Sequence, residues 1–260
     1  MYWYCGKLIN SKNLELDIND PGLLYGATVF TTLRVYNCSL DHYLTNWDAH
    51  CDRLKCSLQT FAWTEPNWDF VRQGAEIILQ KYPVLRITIF PDGREWILGR
   101  LLPEKLTQKQ NYGIVAAISQ TEFTRSLPNH KTGNYLSAWL AKNRVKAEEA
   151  ILVDSQGNWL ETSTGNLWGW KNDCWWTPPV EVGILPGIER SHIIKNLQKR
   201  QTTICQEPWT PQLVKDFVAI AYTNSVIEII PIHTLQTPSG SLEYNPYHPC
   251  FLELKGLFLP

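Results

Sequence analysis

The spacing of hydrophobic and polar residues changes several times along the chain, and each change marks an element. Residues 27–36 (ATVFTTLRVY) are rich in β-branched and aromatic side chains and lie between Gly26 and Asn37, which predicts a strand. Over 41–59 apolar residues recur at three and four, the spacing of a helix, and 70–80 reads as a second. The run 84–90 (VLRITIF) predicts a buried strand ending in the turn Pro91-Asp92-Gly93, with 96–102 as its hairpin partner. Pro103 and the polar residues up to Gln110 break every period and read as a linker.

Beyond the linker, 113–119 (GIVAAIS) predicts a strand and 132–147 a helix, whose apolar stripe is Tyr135, Leu136, Trp139 and Leu140. Short strands follow at 150–154, 159–163, 166–171 and 174–178, punctuated by the turns SQGN and ND. A helix over 188–200 is preceded by Leu185-Pro186-Gly187, and a strand over 217–222 ends in Thr223-Asn224-Ser225. This mixture predicts the α/β (α+β) class in two domains. The smaller N-terminal α/β domain covers 1–105, and a larger C-terminal domain with a β-rich core covers 106–260.

Composition narrows the function. At 44% hydrophobic residues the chain can bury a large core. Its 24 basic and 25 acidic residues leave a net charge of -1, with no electrostatic ground for a nucleic-acid or anionic-membrane partner. No apolar run approaches the ~20 residues that span a bilayer. The N-terminus, MYWYCGKLINSK, lacks a basic and then an apolar region, which predicts no secretory leader. Seven cysteines, never spaced C-x-x-C, and six histidines without metal-ligand spacing predict reduced thiols, no metal site and a cytoplasmic location. Twelve tryptophans predict a bulky, rigid core.

Dinucleotide, P-loop, zincin and serine-hydrolase motifs are all missing. What remains suits an anion. Gly187-Ile188-Glu189 opens a helix, whose free N–H groups and dipole form a phosphate site or, more blandly, an ordinary helix start. Asn224 and Ser225 offer amide and hydroxyl donors, and Arg53 a charged fork. Lys131, flanked by turn residues, reads as a solvated side chain or as a Schiff-base lysine. Glu161 reads as an edge-strand carboxylate or as the acid facing a cofactor's ring nitrogen.

Taken in order, the blocks KTGNYL (131–136), EAILVD (149–154), GNWLETSTGNL (157–167), TPP (177–179) and GILPGIER (183–190) resemble the class IV, or fold-type IV, aminotransferases. YGATVFTTLR (25–34), HCDRL (50–54) and TNSVIEIIP (223–231) extend the resemblance over most of the chain. It implies pyridoxal 5'-phosphate as cofactor, a small-molecule substrate and a homodimer. By position, Lys131 matches the lysine that links to the cofactor and Glu161 the acid at its ring nitrogen. Arg53, Ile188, Glu189 and Ser225 match the phosphate cradle, and Tyr135 a tyrosine at the phenolic oxygen. Where the family usually shows Tyr-Gly-Asp-Gly-x-Phe-Glu, this chain has Ala27, Thr28 and Thr31. The change falls on the substrate side and marks Thr28 as a substrate contact. Asn224-Ser225 is similar to the lyase members and implies 4-amino-4-deoxychorismate lyase; an amino-acid aminotransferase and a non-catalytic scaffold are the alternatives. Of Arg86, Arg94 and Arg100, Arg94 is the expected anchor for a substrate carboxylate.

Overall fold

The computed structural model describes residues 1–121 and 123–259, which form two compact units. The first unit takes residues 1–102 together with 130–135, and the second takes 103–129 and 136–260. Lys131, expected in the C-terminal domain, therefore belongs to the first unit.

The first unit contains β1 (Tyr2–Tyr4), β2 (Lys7–Ile9), α1 (Pro21–Leu24), β3 (Val29–Arg34), α2 (Trp47–Thr60), α3 (Trp68–Leu79), β4 (Val84–Ile89) and β5 (Glu95–Arg100). The strands form one antiparallel sheet in the order β2-β1-β5-β4-β3. Side chains alternate across a sheet, so one face collects Leu33, Leu85, Ile87, Ile89 and Ile97. These pack with Leu54 and Leu58 of α2 and Val71, Ala75 and Ile78 of α3. The opposite face carries Phe30, Thr32, Arg34, Arg86, Leu98 and Arg100. Asn67 caps α3 by accepting from the N–H groups of Asp69 and Phe70. The helix predicted from 41 begins only at Trp47, because Asn46 adopts a left-handed conformation with φ 52°.

Residues 131–133 pair with the start of β3. Phe30 N–H donates to Lys131 O at 2.8 Å, Gly133 N–H donates to Thr28 O at 2.7 Å, and Val29 bridges Thr132. That pairing is why the helix predicted over 132–147 does not start until Leu136. The backbone groups of its first turn are engaged on β3.

The second unit contains α4 (Leu106–Tyr112), β6 (Ile114–Ile118), α5 (Leu136–Arg144), β7 (Glu149–Val153), β8 (Trp159–Thr162), β9 (Asn166–Lys171), β10 (Cys174–Trp176), α6 (Ile188–Lys199), β11 (Ile204–Cys205), β12 (Ala219–Asn224), β13 (Glu228–Thr237), β14 (Gly240–Glu243) and α7 (Cys250–Lys255). Its sheet runs β11-β10-β9-β12-β13-β6-β7-β8, with β14 added on β13. The stretch read as a linker holds α4, in which Leu106 is the buried residue and Gln110 donates from Nε2 to Ile227 O and Glu228 Oε2. Trp159, Trp168, Trp175 and Trp209 are among the largest fully buried side chains. Two of these indoles find partners: Trp168 Nε1 donates to Thr223 Oγ1 and Trp175 Nε1 to Glu253 Oε2. All seven cysteines are thiols. No helix is long and apolar enough to cross a membrane among the described residues, nor do three metal-ligating side chains gather there.

Candidate active site

In the first unit, pairing on β3 fixes the backbone of Lys131 beside Phe30. The Lys131 Nζ lies 3.4 Å from Tyr135 Oη and 5.0 Å from the centroids of both the Phe30 and Tyr135 rings. The neighbouring His130 is held by Ser57, Oγ to Nδ1 3.0 Å, and packs on Phe61. Thr28 backs the same segment: a Cβ at Gly133 would overlap its hydroxyl, so position 133 has to be glycine for this approach.

Arg53 reaches from α2 and donates from Nη2 to Thr31 Oγ1 at 2.5 Å, and that hydroxyl lies 2.5 Å from His50 Nδ1. His50 is fully buried. Burial, followed by the charges of Arg53 and Lys131, holds its pKa well below the usual histidine value, so the ring is neutral at pH 7. Thr31, Arg53, His50 and Lys131 thus share one electrostatic neighbourhood. Sequence reasoning quoted His50 inside a motif without giving it a role.

Arg94 is a correction. Its guanidinium donates to Asp20 Oδ2 at 2.6 Å, to Asp92 Oδ2 at 2.6 Å and to Tyr4 Oη at 2.7 Å. Two carboxylates already occupy the fork that a substrate carboxylate would need. Arg86 differs. It is partly buried, its guanidinium lies 3.5 Å over the Phe30 ring, and it makes no hydrogen bond or ion pair with the described residues. Burial and the nearby Arg100 guanidinium push its pKa down to about 10, which leaves it charged at pH 7. The sequence signal was present: one charge inside an apolar strand, out of phase with Leu85 and Ile87.

In the second unit, β8 presents Glu161, which is 2% exposed. Arg125 Nε donates to its Oε1 at 2.5 Å and Leu185 N–H to its Oε2 at 3.4 Å. Asn166 at the start of β9 donates from Nδ2 to Leu185 O and stands where a Cβ at Gly187 would be. Gly187 is the N-cap of α6 and supplies no side-chain acceptor, so the helix opens with N–H groups left for an external anion. Ile188 and Glu189 follow in its first turn. The Glu189 carboxyl is buried, and its Oε1 has no partner among the described residues. Asn224, at the end of β12, uses its amide internally: Oδ1 accepts from the N–H groups of Val226 and Ile227, and Nδ2 donates to Thr164 O. Ser225 sits in the turn that Asn224 shapes, half-buried. Hydrogen bonds therefore connect Glu161 with the Leu185–Gly187 approach to α6. Arg125 was not picked out in sequence reasoning, where nothing separates it from other arginines in irregular segments.

Each unit by itself carries part of what a phosphorylated aldehyde with a basic ring nitrogen needs: the first an amine among aromatic rings, the second a buried carboxylate and a helix start with no side-chain cap. The amino-transferase class IV family pattern matches residues 28–235. A Methanocaldococcus jannaschii protein provisionally named a branched-chain-amino-acid aminotransferase is 26% identical over 248 residues, 87% of this chain and 85% of that protein. The aminodeoxychorismate lyase of Vibrio harveyi is 22% identical and is covered, like this chain, to 94%. The branched-chain amino acid aminotransferase of Escherichia coli shares the fold, with a TM-score of 0.83 at 20% identity over 99% of this chain and 92% of that one. The chain belongs to the class IV aminotransferases, enzymes of mixed α/β fold that work with pyridoxal phosphate.

Proposed function

We propose that the protein is a lyase converting 4-amino-4-deoxychorismate to 4-aminobenzoate and pyruvate. The observation that carries this reading is the arginine pair on the Phe30 face of the first sheet. Arg86 and Arg100 lie close enough to repel, and Arg86 has no acid partner among the described residues. Like charges side by side are unfavourable unless an anion joins them, and this substrate carries two carboxylates. A branched-chain amino acid would leave the second guanidinium without a role. Thr31 standing where the family usually has an acid, and Asn224-Ser225, support the same reading.

Pyridoxal phosphate supplies a carbon that takes the substrate amine and a ring that draws electrons from it. Lys131 Nζ takes the proton from the amine-bearing ring carbon and returns one to the methylene of the departing enolpyruvyl group, which leaves as pyruvate. Aromatisation of the remaining ring drives the step. By the family resemblance, Glu161 would hold the cofactor's ring nitrogen, Arg53, the first N–H groups of α6 and Ser225 would hold its phosphate, Tyr135 would meet its phenolic oxygen, and Arg86 would orient the substrate. A cytoplasmic homodimer accompanies this reading, on the strength of the family resemblance.

The test is 4-aminobenzoate fluorescence after adding 4-amino-4-deoxychorismate to the cofactor-loaded protein. Product is expected with the natural chain and none with Lys131→Ala, which also loses the visible band of the lysine-bound cofactor. Arg86→Met is expected to raise KM roughly 10- to 100-fold with kcat little changed, the loss of one charge-assisted contact. Exchange between amino and keto acids without 4-aminobenzoate would replace the lyase with an aminotransferase, the reading that the Methanocaldococcus relative favours. A bound cofactor with neither reaction would leave a scaffold.

A further inference from the structure

The pairing of Arg125 with Glu161 has a chemical consequence. The two side chains are 10% and 2% exposed, and Arg125 Nε donates to Glu161 Oε1 at 2.5 Å. The second oxygen, Oε2, accepts from Leu185 N–H. Across the ladder on β7 stands Leu152, which offers neither charge nor hydrogen bond from its side chain. A carboxylate this deeply buried tends to become neutral unless a cation compensates it. A guanidinium bonded to one oxygen is such a cation, and it also fixes the plane of the carboxylate.

We propose that Arg125 is a positioning residue for the reaction. It keeps Glu161 ionised and correctly turned, and by neutralising part of that charge it limits how firmly Glu161 holds a proton on the cofactor's ring nitrogen. This rests on the reading of Glu161 as the ring-nitrogen partner. Two opposite demands then meet on one carboxylate. Without a cation Glu161 would take up a proton itself, whereas with too strong a bond it would release the ring-nitrogen proton too easily. Arg125 sets the balance, and with it the strength of the electron sink.

Enzyme loaded with pyridoxal phosphate carrying 15N at the ring nitrogen provides the test, since the 15N shift against pH reports when the Glu161–ring nitrogen pair gives up its proton. The variants are Arg125→Met, Arg125→Gln, Arg125→Lys and Glu161→Gln, each also assayed for cofactor dissociation constant and thermal midpoint. Arg125→Met is expected to move the titration up by about one pH unit or more, the usual effect of losing an adjacent opposite charge. Arg125→Gln, which keeps a donor but no charge, moves it in the same direction and decides the matter if the methionine variant does not fold. Arg125→Lys returns it toward the natural value, and Glu161→Gln moves it down. If the neutral variants titrate like the natural enzyme while Glu161→Gln shifts, Arg125 is merely structural and the proposal falls alone. If Glu161→Gln also leaves the titration in place, Glu161 does not face the ring nitrogen, and both readings fall.

Discussion

Glu189 shows how much one side chain can set. Burial first, and the Glu228 carboxylate second, push its pKa up to about 8. An exposed carboxyl in the unfolded chain titrates near 4.5, so folding takes up a proton between these values. The stability this residue permits is fully present below about pH 4.5 and declines as pH rises through 8. Glu189→Gln keeps the shape without the titration. At pH 7 it should gain up to about 3 kcal/mol in unfolding free energy. Urea midpoints should coincide with the natural chain's near pH 4 and separate increasingly toward pH 8. At this scale much of the site was legible in the sequence. Lys131, Glu161 and Gly187 stand where backbone chemistry marks them: before a helix, on a buried strand, and at a helix start. Arg86 and Arg94 were both visible, but their difference depends on what lies opposite each, which only strand register and the fold of Asp20 against Arg94 decide.

Elements were legible where one period persisted. The sequence expectation placed strands over β3, β4 and β5 within two residues of their ends, because apolar alternation there answers a single buried face. It passed over α4, whose buried contribution is one leucine, and β13, in which Pro231 breaks the strand signal. Packing also decides the sign of a change that propensity alone would misjudge. Alanine is a better helix former than glycine by about 1 kcal/mol, yet a Cβ at Gly74 in α3 would run into the indole of Trp3. That ring is 3% exposed and tied by Nε1 to Glu95 Oε1 at 3.0 Å, so it has little room to retreat. Gly74→Ala is therefore expected to lower unfolding free energy by about 1–3 kcal/mol, the cost of overpacking, with a corresponding fall in the denaturant midpoint.

Across the whole molecule, individual buried groups set opposite pH limits. His50 belongs to the first unit, and its depressed pKa means that protonation favours unfolding. Its contribution is present above about pH 6.5 and lost as pH falls below that. His130 in the same unit and His192 on α6 are shifted in the same direction by burial. Glu189, in the second unit, weakens the fold in the opposite direction. Hydrogen exchange, corrected for intrinsic rate, should therefore show α2 losing protection between pH 7.5 and 5.5, less so in His50→Gln. Protection of α6 should instead fall toward pH 9. Opposite pH limits within one chain also mean that a single unfolding midpoint will depend on the probe that reads it.

The segment that carries Lys131 along the edge of β3 has a meaning for the birth of the chain. Synthesis runs from the N-terminus, so the sheet of the first unit is complete as a set of strands once residue 100 has emerged. Its outer strand, β3, then waits for thirty-three more residues before the Phe30 N–H and the carbonyl of Thr28, just ahead of the strand, find their partners at Lys131 and Gly133. During that interval the nascent domain exposes an open strand edge, the kind of surface on which neighbouring nascent chains pair. Lys131, Thr132 and Gly133 are thus the residues that cover the start of that edge. A ribosome stalled before residue 130 would display a chain far more prone to cling to its neighbours than one stalled just past 135.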